Sequence, residues 1–159
     1  MKDKAAEERL DRLARAAAEN LRDWGSCAQA TLLALQEEFG LGDAQTLKAA
    51  TAMPGVALRG ETCGAVIGSI MALGLAFGRE EAADFEAVNR ATGAARRFCR
   101  RFEAELGSCL CRDIQKRLFG RYFELTDAAD VAEFAAAGAV EKCRVPVEAA
   151  VRIAGGILM

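Results

Sequence analysis

Apolar residues recur at spacings of three and four along most of this chain, and glycines cut the pattern into segments. Leu10, Leu13, Ala17 and Leu21 share one face of a predicted helix over 5–22, which ends near Trp24 and Gly25. A second helix is expected over 27–39, closed by Gly40, and a short third over 44–52, capped by Asp43. Pro54 and Gly55 break the chain into a loop that runs to Gly60. Residues 63–77 are apolar almost throughout and rich in Ala, Leu and Met. The run is long for a strand and too short to span a membrane, so a buried central helix is the expectation.

The longest helix is predicted over 80–106. Phe85, Val88, Thr92, Ala95, Cys99, Phe102 and Leu106 form its apolar seam, and Arg96, Arg97, Arg100 and Arg101 lie off it on a solvated face. Gly107 stops that helix. Shorter helices follow over 109–119 and 128–137, the second capped by Thr126 or Asp127. Pro146 suits the first position of a last helix over 146–154. No segment reads as a strand. Seven or eight helices with short connections predict an all-α bundle, one domain over 1–159.

Composition narrows the function. A 52% apolar content supports a core without disulfide staples, and a net charge of −2 offers nucleic acid no basic stripe. No run of 18 apolar residues predicts a membrane span. The start, Met1 to Glu8, is charged and helix-forming rather than a signal peptide, so a cytoplasmic location is expected. Histidine is absent, which removes the commonest general base and zinc ligand. It also excludes a C-x-x-C-H haem attachment. Any metal site must use thiolates and carboxylates.

Six cysteines therefore carry the candidate chemistry. A reducing compartment favours metal binding, redox chemistry or plain burial over a static disulfide framework. Ser26-Cys27-Ala28-Gln29 fits a capping box with Cys27 as the first helical residue. Thr62 is expected to cap the buried helix at Cys63, and Ser108 the helix carrying Cys109 and Cys111. Cys143 stands just ahead of the last helix. Five of the six thus fall at predicted helix starts, where free N–H groups and the helix dipole favour a thiolate. Cys99 sits mid-helix on the seam and reads as core, and Cys109 is ambiguous.

Gly60, Gly64, Gly68, Ala72 and Ala76 recur every four residues. A glycine inside a helix costs about 1 kcal/mol relative to alanine, so Gly64, Gly68 and Gly74 each need a reason. Close helix packing is one. Room at Gly64 and Gly68 for a backbone or a cofactor beside Cys63 is another, and the two are compatible.

Gly60-Glu61-Thr62-Cys63-Gly64-Ala65-Val66-Ile67-Gly68 resembles the core of the C_GCAxxG_C_C family of redox-active proteins. Ser26-Cys27-Ala28-Gln29-Ala30 resembles its first cysteine segment, Gly107 to Arg112 its third, and Cys143 fits the fourth. The resemblance covers roughly 20–155 and implies that Cys27, Cys63, Cys111 and Cys143 form one site. A related domain in split-Soret cytochromes accompanies a non-haem iron–sulfur centre, so a cluster on these four cysteines is implied, without haem. The family's glycine-rich loop before the core is replaced here by Met53 to Arg59, and Cys99 and Cys109 are additions to its pattern.

Four readings stay open. The first is an iron–sulfur electron carrier or sensor working with a redox partner protein, although gaps of 36, 48 and 32 residues are unlike compact ferredoxin motifs. The second is a thiol–disulfide protein with Cys27 or Cys63 as nucleophile. The third is structural zinc, and the fourth a non-catalytic helical module, for instance a homodimer. Glu61 is a candidate proton carrier, against the simpler role of a solvated carboxylate near a helix start.

Overall fold

The computed structural model describes residues 2–159, with side chains from Lys4 onward; Met1, at the head of the charged N-terminal run, lies outside the described residues. The described residues form an all-α bundle of nine helices, one more than the upper expectation. They are α1 (Lys2–Trp24), α2 (Cys27–Phe39), α3 (Ala44–Ala49), α4 (Gly55–Leu58), α5 (Gly64–Phe77), α6 (Phe85–Leu106), α7 (Cys111–Phe119), α8 (Ala128–Ala136) and α9 (Ala139–Leu158). Among the described residues, no helix is long and apolar enough to cross a membrane.

As expected, α5 is the central helix. It packs on α2, α6 and α9, and α1 covers α2 and α9 from the far side. Leu13, Ala17, Leu32, Leu35, Val66, Leu73, Phe98, Phe102, Val147 and Val151 fill the core between them. Helix boundaries follow local chemistry. Asp43 caps α3 through Thr46 N–H at 2.9 Å, and Gly40 ends α2 in the left-handed region at φ 64°.

The small-residue stripe has a direct structural cause. A Cβ on Gly68 would stand 2.6 Å from the Ala28 carbonyl oxygen of α2, and one on Gly64 would overlap the Cys27 sulfur. Both glycines let α5 lie backbone-to-backbone on α2. Gly74 faces open space, so close packing does not explain it.

Four features depart from expectation. α6 starts at Phe85 rather than at 80, because the Asp84 carboxylate accepts from Ala87 N–H at 2.9 Å and caps the helix there. Its buried stripe is Ala87, Ala94, Phe98, Phe102 and Leu106, while Phe85 is 68% exposed. A seam through Ala95 and Cys99 would leave Phe98 outside; burying that ring, which stacks on Phe102 at 5.8 Å, sets the rotation. Cys99 is consequently half-buried rather than core. α9 begins at Ala139 and carries Pro146 in its interior, not at its start. An interior proline costs about 3 kcal/mol, offset here by full burial of Pro146 with Val147, Ala150 and Val151.

The fourth departure is α4, where the loop expected between Pro54 and Gly60 contains a single left-handed turn. Gly55, Val56, Ala57 and Leu58 have φ of 57°, 48°, 60° and 61°. Leu58 N–H reaches Pro54 O at 2.8 Å and Arg59 N–H reaches Gly55 O at 3.1 Å. Each of the three non-glycine residues costs about 1–2 kcal/mol in this conformation. Such strain persists only where surrounding structure enforces it.

Gly68→Ala is expected to lower stability by about 1–3 kcal/mol, because its methyl meets backbone that cannot give way. Gly74→Ala meets nothing and is expected to raise it by up to about 1 kcal/mol. Urea denaturation of the two variants checks both signs.

Candidate functional site

Two short extended segments bring Cys63 and Cys111 onto neighbouring strips of backbone. Thr62 and Leu110 form an isolated antiparallel bridge. Around it, Cys63 N–H donates to Cys109 O at 2.8 Å, Cys111 N–H to Glu61 O at 2.7 Å, and Arg112 N–H to Gly60 O at 3.1 Å. The Arg112 guanidinium ties the same strip down, donating to Gly60 O at 3.0 Å and to the Glu61 carboxylate at 2.7 Å. Glu61 is thereby an ion-pair partner of Arg112.

Cys27 opens α2 under a Ser26 cap, whose hydroxyl accepts from Gln29 N–H at 3.3 Å. The reciprocal arm of the capping box is not made. Gln29 instead donates to Leu47 O and the Thr51 hydroxyl, tying α2 to α3. Cys63 is itself the cap residue of α5, so the helix starts one residue later than expected, and Thr62 belongs to the extended strip. Cys111 is the first residue of α7. Ser108 does not cap that helix; it accepts from Leu110 N–H and donates to Asp113. Cys143 lies in the fifth position of α9, not ahead of the helix.

The starts of α2 and α5 converge on one sulfur. The Cys63 thiol donates to Cys27, and the backbone N–H groups of Gly64, Cys27 and Ala28 also point at that sulfur. The Cys63 hydrogen bond is the main cause that holds the Cys27 thiol below its usual range; burial opposes it and the amides assist. Cys63 moves the opposite way, well above its usual range. Its proton is held by Cys27, its burial is deep, and negative charge on Cys27 or Cys111 repels ionisation. Ionisation is therefore favoured at Cys27 over Cys63.

Cys111 and Cys143 complete the group. Burial pushes Cys111 up, against a hydrogen bond from the Gln115 amide at 3.3 Å. Burial first, and then the charges of Cys27 and Cys111, push Cys143 up to about 12. Cys27, Cys111 and Cys143 line one cavity of about 130 Å³, with Gln115, Gly55, Leu58, Phe134 and Val140 among its walls. Cys63 sits behind Cys27, 5% exposed. Among the described residues, no three His, Cys, Asp or Glu side chains stand in an arrangement that could hold a metal ion.

Two positioning residues carry no recognisable signal in the sequence. Gln115 is buried and accepts from Phe123 N–H at 2.9 Å while its amide donates to Cys111. Arg112 clamps the extended strip that places Cys63. An amphipathic helix gives no cue that its one buried glutamine faces a sulfur four residues earlier.

These features define an all-α protein built around a group of thiols. The family model for C_GCAxxG_C_C, described as "Putative redox-active protein", matches residues 26–157, and the chain belongs to this family. Comparison with curated proteins and with solved structures found no match.

The thiol shifts predict how stability depends on pH. Cys143 ionises near 9.0 in an unfolded chain and at about 12 when folded. The folded state thus binds more protons between those values, and its stability must fall as pH rises through them. Thermal melts of the reduced protein are expected to lose stability across that window, with a shallower loss in Cys143→Ala.

Proposed function

We propose that the protein is a thiol–disulfide redox protein whose working pair is Cys27 and Cys63. The observation that carries this reading is the seating of the Cys27 sulfur against the start of α5, where a Cβ on Gly64, the residue after Cys63, would overlap it. Cys27, with its ionisation favoured, is the nucleophile, and Cys63 is the neighbouring thiol that closes the disulfide. Oxidation removes two electrons and two protons from the pair and forms one S–S bond. The cavity in front of Cys27 admits the oxidant or a redox partner protein's sulfur. Cys111 and Cys143, protonated at neutral pH, stay in reserve. A reducing compartment such as the cytoplasm suits a site that works by cycling its thiols.

A four-thiolate iron–sulfur cluster is the second reading. One observation favours it: Cys27, Cys111 and Cys143 open onto the same cavity, with Cys63 directly behind. The donor set is chemically apt, being all thiol and close to helix N–H groups that favour negative charge. Such a group would supply one-electron transfer. Against this reading, the cysteines do not stand as a ligand sphere.

Anaerobic purification followed by redox titration and non-reducing peptide mapping separates the two. The thiol reading expects no iron or acid-labile sulfide, a reversible Cys27–Cys63 disulfide, and loss of that couple in Cys27→Ser. Stoichiometric iron and sulfide, lost on replacing any of the four cysteines, would establish the cluster instead.

A further inference from the structure

α1 and α9 pack against each other, and a cleft of about 270 Å³ opens between them. Arg15 and Arg22 of α1 and Arg144 of α9 line it, together with Glu19 of α1 and Glu141 of α9. Helical spacing explains the grouping. Positions 15, 18, 19 and 22 share one stripe of α1, and 140, 141 and 144 share one stripe of α9. Opposite charges placed so close in sequence and space ordinarily close on one another. Here, among the described residues, no salt bridge joins a lining arginine to a lining glutamate. Arg15 makes no ion pair or hydrogen bond among those residues. Arg22 and Arg144 donate through Nε to Asp23 and Glu148, both outside the lining, and their Nη groups have no hydrogen-bond partner among the described residues. The cleft thus holds unmatched guanidinium donors facing the same space as two carboxylates.

This cleft adjoins the cavity of the cysteines. Val140, 41% exposed, lines both, and Leu21 and Cys143, the chain neighbours of Arg22 and Arg144, belong to the cysteine cavity. We propose that the α1–α9 cleft binds the charged end of a low-molecular-weight thiol or disulfide of amino-acid type, with its sulfur end laid over Val140 at the edge of the cysteine cavity. Guanidinium groups present paired N–H donors that match a carboxylate, and Glu19 and Glu141 accept from an ammonium group. A ligand carrying both groups uses both sets of lining charges. A purely cationic or apolar ligand leaves the guanidinium groups unmatched. The volume lies just under the usual span of small-molecule sites, about 300–1,000 Å³, which suits a ligand seated by one end. The use of the cleft as a substrate site rests on the thiol–disulfide reading, whereas the binding itself does not.

The test titrates reduced full-length protein with S-methylglutathione, which carries carboxylates and an ammonium group but no sulfur able to exchange. Calorimetry reads its affinity, and an isotopic label on its S-methyl carbon reads its position through nuclear Overhauser contacts. Binding is expected at low salt, weakened by rising salt. It should fall about tenfold in the Arg15→Gln, Arg22→Gln double variant. Arg96→Gln, an exposed position on α6, should leave it unchanged. The N-acetylated probe, which lacks the ammonium group, should bind several-fold more weakly, and the S-methyl label should contact Val140. No binding, or equal affinity in the double variant, overturns the cleft as a ligand site. Equal affinity for the N-acetylated probe overturns the part given to Glu19 and Glu141. Binding without contact between the label and Val140 overturns the placement of sulfur. The probe cannot exchange, so these results do not depend on whether Cys27 and Cys63 form a disulfide, which the peptide maps decide separately.

Discussion

The helices α5 and α2 meet backbone to backbone, and the Cys27 sulfur lies at that junction. Gly64 and Gly68 permit it, because any Cβ there would meet the Cys27 sulfur or the Ala28 carbonyl. Two helix starts then surround one thiol. Ala28 N–H comes from α2, Gly64 N–H from α5, and the Cys63 thiol from the residue that caps α5. A sulfur so placed is both packed and solvated by protein. Its charge is favoured without a cationic side chain, which matters in a chain without histidine.

Other parts of the fold serve that junction at a cost. The left-handed turn of α4 holds three non-glycine residues in a conformation that glycine would adopt freely. Its reward is position: Gly55 and Leu58 line the cavity together with Cys111 and Cys143. Gln115 occupies apolar surroundings with both ends of its amide engaged, so it is fixed rather than penalised. Arg112 holds the extended strip by three donor contacts, to the carbonyls of Arg59 and Gly60 and to Glu61. Polar groups thus orient the sulfurs, and the apolar core behind α5 supplies the rigidity.

Much of this was legible in the sequence. Period and glycine punctuation located α2, α5, α7 and α8 within one or two residues, because each has a cap or stop chemistry of its own. The Gly64–Gly68 stripe announced close packing beside Cys63. Other features depend on partners far along the chain. The rotation of α6 is decided by where Phe98 finds space, which no heptad count reveals, and so the partial exposure of Cys99 was hidden. Pro146 inside α9 reversed a rule of position, because burial of that segment outweighs the lost backbone bond. Gln115 gave no signal at all.

The central claim is that contact between the starts of α2 and α5, through Gly64, sets the ionisation of Cys27. The direct measurement is the pH dependence of Cys27 thiolate absorbance in Gly64→Ala against the wild type. Folding is verified by circular dichroism, and Cys99, Cys109, Cys111 and Cys143 are replaced by serine in both proteins. Cys63 is retained, because its hydrogen bond is the main cause of the shift and its own ionisation lies well above that of Cys27. The account predicts a higher ionisation midpoint for Cys27 in Gly64→Ala than in its parent. An unchanged or lower midpoint in a folded variant would contradict it.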